Sequence, residues 1–356
     1  MKSKLPFARL ALLAATILVI STLSFSQSHS PTLTPQQSGT TSRLQAISPV
    51  NSQTVWASGV LGTFAVTSDG GAHWRSGVVP GAETLQFRDV EGVTDKIAYL
   101  LAAGVGTDSR IYKTADGGAT WTLQFVNQDP NGFYDCFSFW TPKRGVVMGD
   151  SVAGRFPILR TTDGQTWQDI GNNLPPAQDG EAAFAASGTC IATQGGQKAW
   201  ITTGGAAESR VIATTDGGNT WRAYSTPIVQ GTGSSGGLSI AFRDPFHGVL
   251  GGGELLDSTP IANDFARTSD GGVTWQLATG TPFGGSIFGL AYAQGRGTGN
   301  LHGVVATGPG GAAWSPNEGN NWNTLPGVAG YWAVAFATPQ AGWLVGTGGR
   351  ILKISF

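Results

Sequence analysis

An eight-residue motif, Thr-x-Asp-Gly-Gly-x-Thr-Trp, recurs along the chain and limits the folds that it can adopt. Near-complete copies are TSDGGAHW at 67–74, TADGGATW at 114–121, TTDGGNTW at 214–221 and TSDGGVTW at 268–275. A shorter copy is TTDGQTW at 161–167, and a degenerate one is SPNEGNNW at 315–322. The central residues are Asp69, Asp116, Asp163, Asp216, Asp270 and Asn317, at intervals of 47, 47, 53, 54 and 47 residues. This period indicates an array of similar supersecondary units.

A glycine-flanked apolar segment precedes each copy of the motif and occurs once more near the C-terminus. The seven segments are VWASGVLG, AYLLAAGVG, GVVMGDS, AWITTGG, GVLGGGE, GVVATGPGG and GWLVGTGG. A further strand pattern, such as RIYKT or RVIAT, lies between the segment and the motif. Each unit is therefore predicted to run as inner strand, second strand, third strand, turn motif and outer strand. We predict an all-β fold, a seven-bladed β-propeller of four-stranded antiparallel blades.

The residue types of the motif suit a tight turn between the third and outer strands. An Asp side chain there is expected to accept hydrogen bonds from backbone N–H groups two residues further on. Glycine supplies positive φ without steric cost, and tryptophan buries a large apolar face between blades. Because the motif repeats once per blade, we interpret its Asp and Trp residues as structural rather than catalytic.

The seventh unit has no outer strand of its own, since one more period after Asn317 would pass the last residue, Phe356. The segment from about Pro31 to Ser42 belongs to no unit. We predict that this segment supplies the outer strand of the last blade. Such closure removes exposed strand edges and ties down a terminus that would otherwise fray.

Residues 1–26 are predicted to be a secretory signal peptide, and residues 27–356 a single propeller domain. Lys2, Lys4 and Arg9 precede an apolar stretch from Leu10 to Leu23, and Ser24-Phe25-Ser26 offers a cleavage site. The alternative is an uncleaved membrane anchor, although the stretch is shorter than the ~20 residues that span a bilayer. We expect a secreted or periplasmic protein without membrane insertion after cleavage, and the choice between those two compartments stays open.

The charge and composition argue against several classes of partner and cofactor. The net charge is −1 and charged residues make up 12% of the chain, so no strong attraction to nucleic acid is expected. The four histidines form no pair at metal-ligand spacing, and we predict no metal site. No flavin, nicotinamide, haem or copper pattern is visible, so we predict no cofactor. We expect a monomer.

Cys136 and Cys190 are the only cysteines, and each is aligned with the start of an inner strand in successive blades. Export would permit a disulfide. We nevertheless expect the neighbouring inner strands to lie further apart than the ~5.5–6 Å between Cα atoms that a disulfide prefers. The prediction is therefore two buried, unpaired thiols.

The longest loops are predicted in blades three to five, on the rim where second strands join third strands and blades join one another. These loops are 127–135, 150–157, 172–181, 205–210 and 254–264. Loops longer than the local norm are often functional. Candidate ligand-binding residues are Tyr134, Arg155, Arg210 and Glu254, and candidate catalytic carboxylates are Asp135, Asp150 and Glu181. The alternative is that these groups solvate the rim or bind backbone amides and pin loops.

The turn motif resembles the Asp-box, or bacterial neuraminidase (BNR), repeat of WD40/YVTN/BNR-like propellers. Beyond it, GWLVGTGGRIL at 342–352 and AFRDPFHGVLGGG at 241–253 resemble the photosystem II assembly/stability factor family and its secreted bacterial relatives. That resemblance implies a non-enzymatic docking platform that assists assembly of a membrane complex. A basic face patch is part of that role, and no run of Lys or Arg is visible here.

Two hypotheses of function follow. The first is a secreted, non-enzymatic binding or assembly-assisting propeller whose partner, an unknown protein or glycan, docks on the rim of blades three to five. The second is a divergent secreted glycoside hydrolase that uses the rim carboxylates, since sialidases and several glucanases share Asp-box propellers. The sialidase arginine motif is absent: GRFP at 154–157 has the wrong order and lies in the wrong blade.

Overall fold

The computed structural model describes Met1 and residues 30–294 and 302–356, so the predicted signal peptide lies outside the described residues beyond Met1. The described chain forms seven four-stranded antiparallel sheets. Helical structure is limited, within those residues, to the short 3₁₀ segments Gly106–Asp108, Gly171–Asn173 and Thr347–Gly349. The seven sheets form a ring of blades, which confirms the predicted β-propeller.

The strands of the described residues, in chain order, are β1 (Thr32–Gln37), β2 (Leu44–Pro49), β3 (Val55–Gly59), β4 (Thr63–Thr67), β5 (Arg75–Val78), β6 (Phe87–Gly92), β7 (Ala98–Ala102), β8 (Arg110–Thr114), β9 (Thr122–Val126), β10 (Tyr134–Thr141), β11 (Arg144–Gly149), β12 (Ile158–Thr161), β13 (Gln168–Asp169), β14 (Ile191–Gln194), β15 (Lys198–Thr202), β16 (Arg210–Thr214), β17 (Arg222–Ser225), β18 (Ser235–Phe242), β19 (Gly248–Glu254), β20 (Phe265–Thr268), β21 (Gln276–Leu277), β22 (Gly289–Tyr292), β23 (Val304–Gly308), β24 (Gly311–Ser315), β25 (Asn323–Thr324), β26 (Tyr331–Thr338), β27 (Ala341–Gly346) and β28 (Arg350–Ser355). Blades 1 to 6 are the successive groups of four strands from β2 to β25, and blade 7 contains β26, β27, β28 and β1.

The N-terminal strand closes the ring. β1 pairs antiparallel with β28, in a register that joins Thr32 to Ser355 and Gln37 to Arg350. The prediction that the N-terminal segment supplies the last outer strand is thus confirmed, with the strand itself spanning six residues. β28 therefore has a neighbouring strand on each side, and its edge is not left unpaired.

The aspartate turns, as we call the six motif copies, join the third and outer strands of blades 1 to 6. In the turn of blade 4, Asp216 Oδ1 accepts hydrogen bonds from the backbone N–H groups of Asn219 and Thr220, both at 3.0 Å. Thr220 Oγ1 donates to the second carboxylate oxygen at 2.7 Å. The two backbone N–H groups that donate to Asp216 belong to the third and fourth residues after it, rather than to the second as predicted. The reason is that Gly217 and Gly218, at φ 73° and 86°, lengthen the turn.

The shorter copy follows the predicted spacing, since Asp163 accepts a hydrogen bond from the N–H of Gln165. The degenerate copy keeps the full-length geometry with an amide, because Asn317 Oδ1 accepts the N–H of Asn321 at 3.0 Å. The turn tryptophans also pack as predicted between blades: Trp121 lies edge-on to Phe64 of blade 1, with ring centroids 5.2 Å apart. The turns therefore secure both the sheet edges and the contacts between blades.

The ring has two faces that differ in their loops. The turn face carries the aspartate turns and the turns between first and second strands. The rim face carries the loops between second and third strands and the connections from each outer strand to the next blade. The inner strands of all blades begin at the rim face, so their first residues surround the mouth of the central channel.

Candidate functional site

Five inner strands carry a β-bulge at the same place, close to the rim face. The extra residues of these bulges, which have no partner in the second strand, are Gln45, Arg88, Asp135, Leu238 and Trp332. A bulge re-aims the side chain of its extra residue and is common beside functional sites. The backbone feature is repeated, but each blade places a different side chain at it, so the mouth of the channel is chemically irregular.

Blade 4 departs from this pattern, because its inner strand β14 has only four residues and starts at Ile191. The preceding residues 183–189, which we call the crossing segment, lie over the channel. Ala185 O accepts a hydrogen bond from Arg88 Nη1 of blade 2 at 3.1 Å, and Ser187 Oγ donates to Phe288 O of blade 6. A seven-residue segment of blade 4 that reaches both blade 2 and blade 6 must bridge the centre of the ring.

The channel below the crossing segment is a cavity of about 540 Å³. Ser187, Gly188 and Thr189 of the crossing segment form one of its walls, and residues of the inner strands of all seven blades line the rest. Hydroxyl groups line it: Thr189 Oγ1 lies 2.6 Å from Ser239 Oγ, and Ser138 Oγ lies 2.9 Å from Thr193 Oγ1. The crossing segment therefore separates this cavity from the rim face.

Asp135 and Asp150, two of the candidate catalytic residues, lie together under the crossing segment. Their carboxyl groups are in hydrogen-bond contact. Burial and the neighbouring carboxylate of Asp150 raise the pKa of Asp135 well above its usual range, and Arg88 offsets part of this rise. Burial likewise raises the pKa of Asp150 to about 6. At neutral pH this pair therefore retains a proton that an exposed pair would lose.

The crossing segment donates to both carboxyl groups. The backbone N–H of Ala185 bonds to Asp135, and the backbone N–H of Ala183 bonds to Asp150. Each of these bonds favours the ionised form of its carboxyl group and limits the rise of its pKa. The crossing segment and the carboxyl pair are therefore neighbours at the mouth of the channel.

Arginines surround the other side of the mouth. Arg88 donates to Gln86 Oε1 at 3.1 Å as well as to Ala185 O, and burial together with the charge of Arg43 lowers its pKa. The Arg43 guanidinium lies 4.4 Å from the ring centroid of Trp332. The sequence analysis missed Arg43 and Arg88 because they stand outside the long loops, and only the common bulge position links Arg88 to Asp135.

Cys136 and Cys190 form a disulfide, with Cα atoms 6.2 Å apart, so the prediction of two unpaired thiols was wrong. The prediction assumed that both residues lie in regular inner strands. Cys190 instead ends the irregular stretch before β14, where the chain has turned towards blade 3. The disulfide therefore fixes the end of the crossing segment to the strand that carries Asp135.

Glu181, the third candidate carboxylate, is fully buried and paired with Arg210. Arg210 Nε donates to Glu181 Oε1 at 2.8 Å, and Arg210 Nη2 donates to Oε2. Thr203 Oγ1 donates to the same carboxylate at 2.6 Å. The two-pronged geometry and the extra hydroxyl donor satisfy the buried charge, so this pair joins the blade 3 to blade 4 connection firmly to the rim of blade 4.

The remaining candidate residues lie apart from this cluster. Tyr134 is buried, its ring packs edge-on against Phe125, and burial raises the pKa of its hydroxyl. Arg155 is partly exposed, and it donates to Asp169 Oδ1 at 2.6 Å and to Asn172 Oδ1 at 3.1 Å. Glu254 accepts a hydrogen bond from Thr232 Oγ1 at 2.6 Å, on the rim of blade 5.

Large apolar side chains are exposed on rim loops of three blades. Leu256 is 87% exposed and follows Leu255, which is also exposed, on the loop after β19, close to Glu254. Val105 occupies the corresponding loop of blade 2 at 64% exposure, and Leu61 that of blade 1 at 58%. The rim face therefore offers isolated apolar tips among polar groups, which is a composition suited to protein contact.

Two structural observations concern metals and membranes. Within residues 30–294 and 302–356, no three His, Cys, Asp or Glu side chains come together as a metal site. In the same part of the chain, no helix is long and apolar enough to cross a membrane.

Comparison with known proteins connects this chain to other propellers through structure. No family model matches the sequence, and no curated protein matches it. The structure of YCF48 bound to a D1 peptide superposes with a TM-score of 0.63 at 17% identity, covering 92% of this chain and 97% of that chain. YCF48 from Cyanidioschyzon merolae gives 0.63 at 17% identity, with 91% and 98% covered.

The WD40 β-propeller domain of Doa1 gives a TM-score of 0.52 at 14% identity, with 91% of this chain and 97% of that chain covered. Identities this low establish the shared fold alone. The likeness to YCF48 and to Doa1 therefore supports the β-propeller fold.

Proposed function

We propose that this chain is an exported, non-enzymatic binding or assembly-assisting propeller, and that it docks a protein partner on the rim face of blades 3 to 5. The observation that carries the proposal is the likeness over nearly the whole chain to YCF48, for which a structure bound to a D1 peptide exists. The resemblance of the segments at 241–253 and 342–352 to the assembly-factor family points the same way.

The rim of blades 3 to 5 combines exposed apolar and polar side chains that can meet a protein surface. Leu256 and Leu255 stand beside Glu254, and Arg155 lies partly exposed on the neighbouring loop of blade 3. Burying an exposed leucine side chain at an interface contributes roughly 1.5–3 kcal/mol before the costs of association. These four side chains are the contacts that we propose for the partner.

The geometry of the carboxylates does not favour glycoside hydrolysis. Asp135 and Asp150 are in direct contact, whereas retaining glycosidases hold their two carboxyl groups ~5–5.5 Å apart and inverting ones further. Glu181 is buried in its pair with Arg210. Both sets of contacts hold loops together, so the proposed activity is binding.

The export part of the proposal depends on residues 1–26, which have the charge and apolar pattern of a signal peptide. We propose cleavage after Ser26 and a periplasmic or extracellular location. The pairing of Cys136 with Cys190 is compatible with an oxidising compartment, where structural disulfides persist.

Site-specific photo-cross-linking in the producing cell tests the proposed docking surface. A photoreactive amino acid replaces Leu256 in one variant and Arg155 in another. Leu256 is 87% exposed, and the Arg155 side chain is 41% exposed and bonds to Asp169 and Asn172. The expected result is a cross-linked adduct with the same protein from both positions, found in the envelope or medium after cell fractionation.

The matched control places the same photoreactive residue at Val105, which is exposed on the equivalent loop of blade 2. The proposal requires little or no adduct with that protein from position 105. Equal adducts from positions 105 and 256 would mean that the docking surface is not confined to blades 3 to 5, which would contradict its proposed location. Absence of any protein adduct from both 155 and 256 would contradict the docking function itself.

A further inference from the structure

The dipeptide Asp-Gly occurs six times in the chain and can undergo a reaction of its own. Five copies belong to the aspartate turns, and the sixth is Asp179-Gly180, in the connection between blades 3 and 4 on the rim face. In such a dipeptide the backbone nitrogen of glycine can attack the side-chain carboxyl group of aspartate, because glycine has no side chain that shields the nitrogen. The fold therefore decides which copies react, through the contacts that it gives to the nitrogen and to the carboxyl group.

The five turn copies hold the glycine nitrogen in a hydrogen bond. Four of these N–H groups donate at 2.8 or 2.9 Å to a backbone carbonyl between the first and second strands of the same blade. These pairs are Gly70 with Gln53, Gly117 with Lys96, Gly217 with Gln197 and Gly271 with Phe246. In the shorter copy, Gly164 N–H donates to Thr161 Oγ1 at 2.9 Å. A nitrogen held in this way reacts only when the turn opens locally.

The turn carboxylates are also held in an unreactive form. The attack expels water from a protonated carboxyl group, and an ionised carboxylate has no comparable leaving group. Hydrogen bonds from His73 lower the pKa of Asp69 to about 2, and hydrogen bonds from Thr120 lower the pKa of Asp116 to about 2. Both partners of the reaction are therefore restrained in the aspartate turns.

Asp179 and Gly180 have neither restraint. They are the two central residues of the turn 178–181, which is closed by a hydrogen bond from Glu181 N–H to Gln178 O at 3.1 Å. Both central residues are exposed. Within residues 30–294 and 302–356, no acceptor takes the N–H of Gly180 and no donor reaches the carboxylate of Asp179. In this copy alone, of the six, the two reacting groups both face solvent without a partner.

The residues on either side of this dipeptide are held firmly. Gln178 N–H donates to Glu181 Oε2 at 2.8 Å, and the side chain of Gln178 bonds to the backbone N–H and C=O of Glu208, both at 3.3 Å. Glu181 is buried and paired with Arg210. A change in the backbone between residues 178 and 181 therefore acts directly on the contacts of the buried Glu181.

We propose that Asp179 is a modification site, at which the folded chain converts aspartate to isoaspartate without an enzyme. Gly180 N forms a bond to Asp179 Cγ, and the amide proton leaves together with the carboxyl hydroxyl as one water molecule, which gives a cyclic imide. Water then adds to the main-chain carbonyl carbon of Asp179 and breaks its bond to Gly180 N. The backbone now runs through Cβ and Cγ, and the former carbonyl group becomes a carboxylate. The water released in the first step balances the water consumed in the second.

The product has a longer turn at this point of the rim. The backbone between Gln178 and Glu181 gains one carbon atom, so the hydrogen bond from Glu181 N–H to Gln178 O no longer fits its present geometry. The new carboxylate lies in the backbone beside Glu181, which already carries one buried negative charge. We therefore expect residues 178–182 to lose protection from amide exchange as the modification accumulates.

Peptide mapping of the purified full chain, incubated at neutral pH without any partner, tests the proposal. One sample stays folded and a second is unfolded in guanidinium chloride, and fragment spectra that distinguish isoaspartate from aspartate give the conversion at all six sites. The ratio of the unfolded rate to the folded rate measures the protection of each site, independent of its local sequence. The expected protection is at least about tenfold at the five turn copies, since a hydrogen bond must open there. Little or no protection is expected at Asp179.

Two variants separate the causes. Thr161→Val removes the hydroxyl that holds Gly164 N–H, in a buried position of β12 where valine has a similar shape. The expected result is a loss of protection at Asp163, with the other turn copies unchanged. Asp179→Glu keeps the charge but requires a larger ring, which forms less readily. This variant is expected to show no conversion at position 179 and no gain of exchange in residues 178–182 during the same incubation.

Three outcomes would overturn the proposal. The first is a protection at Asp179 as large as that of the turn copies, which is measured on the wild type and does not depend on the folding of any variant. The second is a folded chain that converts faster at a turn copy than at Asp179. The third is full protection of Asp163 in folded Thr161→Val, because a held N–H group would then not be what prevents the reaction. Since no partner is present, these outcomes are independent of the proposed docking function.

Discussion

The aspartates of the turn face and those at the channel mouth are the same residue type in opposite environments. Asp216 is largely exposed, and hydrogen bonds from Thr220, Thr214 and Asn219 outweigh its slight burial and lower its pKa to about 2. Asp150 is buried against Asp135, and burial raises its pKa to about 6. The first environment recurs in the five turn motifs that carry an aspartate, whereas the contact between two buried carboxyl groups, Asp135 and Asp150, is formed in blade 3.

This difference shows how a repeat protein separates its scaffold from its specific chemistry. The turn aspartates satisfy backbone N–H groups that would otherwise lack partners, and the same solution serves blades 1 to 5, with Asn317 in the equivalent place in blade 6. The inner-strand bulges also repeat, but they carry glutamine, arginine, aspartate, leucine and tryptophan in turn. Function is therefore better sought where the backbone repeats and the side chain does not.

Removal of the disulfide is expected to have the largest effect on the mouth region. Cys136 and Cys190 are 54 residues apart in sequence, and a cross-link closing a loop of that length stabilises a fold by about 4 kcal/mol in the chain-entropy model. Cys136→Ala combined with Cys190→Ala should lower the urea midpoint accordingly. It should also increase exchange in residues 182–190 more than in β27, because the crossing segment loses the covalent bond at its end.

Wild-type protein that has been unfolded, reduced by a dithiol, alkylated and refolded is the control for any effect of the alanine side chains. Both preparations should lose stability to a similar extent. An unchanged urea midpoint in both preparations would mean that the disulfide does not stabilise the channel mouth. The mouth would then differ from the turn face only in the environment of its carboxyl groups.

Loss of one turn aspartate is expected to have a smaller, local effect. Asp216→Ala removes the acceptor for Thr214 Oγ1, Thr220 Oγ1 and the N–H groups of Asn219 and Thr220. Since these groups regain water, the expected loss of stability is roughly 1–2 kcal/mol in urea unfolding. Exchange in residues 182–190 should not change.

Asp257→Ala is the matched control for this substitution, because Asp257 is a rim-face aspartate that accepts hydrogen bonds only from Thr259 in its own loop. Its urea midpoint should stay close to that of the wild type. If the two variants lose stability equally, a turn aspartate contributes no more to the stability of the fold than a rim aspartate does, and our interpretation of the repeat is wrong.

The parts of the molecule that follow the repeat could be predicted from sequence. The motif spacing led to seven blades, and the missing outer strand led to the pairing of β1 with β28. Both inferences use local turn chemistry and a fixed period, which survive from one blade to the next. The hydrogen-bond spacing in the turns was predicted less well, because the paired glycines lengthen the loop by a residue.

The parts that break the repeat could not be predicted. The intervals of 53 and 54 residues flank blade 4 and signalled extra chain, but nothing in the sequence places residues 183–189 over the channel rather than on the rim. The disulfide was missed for the same reason, since Cys190 follows the crossing segment. Asp135 and Asp150 were named as candidate catalytic carboxylates, but their contact depends on a bulge that sequence patterns do not reveal.

The smallest expected effect is the response to acid, which should be opposite for the turn aspartates and for the Asp135–Asp150 pair. One experiment can compare the two regions. The pKa values of Asp69, Asp116 and Asp216 are lowered to about 2, so their stabilisation is present above about pH 4 and is lost as the pH falls towards about 2. The carboxyl pair behaves in the opposite way, because its proton is retained in acid. Between about pH 5 and about pH 3, the melting temperature should therefore fall while residues 182–190 stay protected from exchange up to global unfolding. If residues 182–190 lose their protection in acid before the melting temperature declines, the Asp135–Asp150 pair must be ionised in the native protein, as the turn aspartates are. The two regions would then respond to acid in the same way.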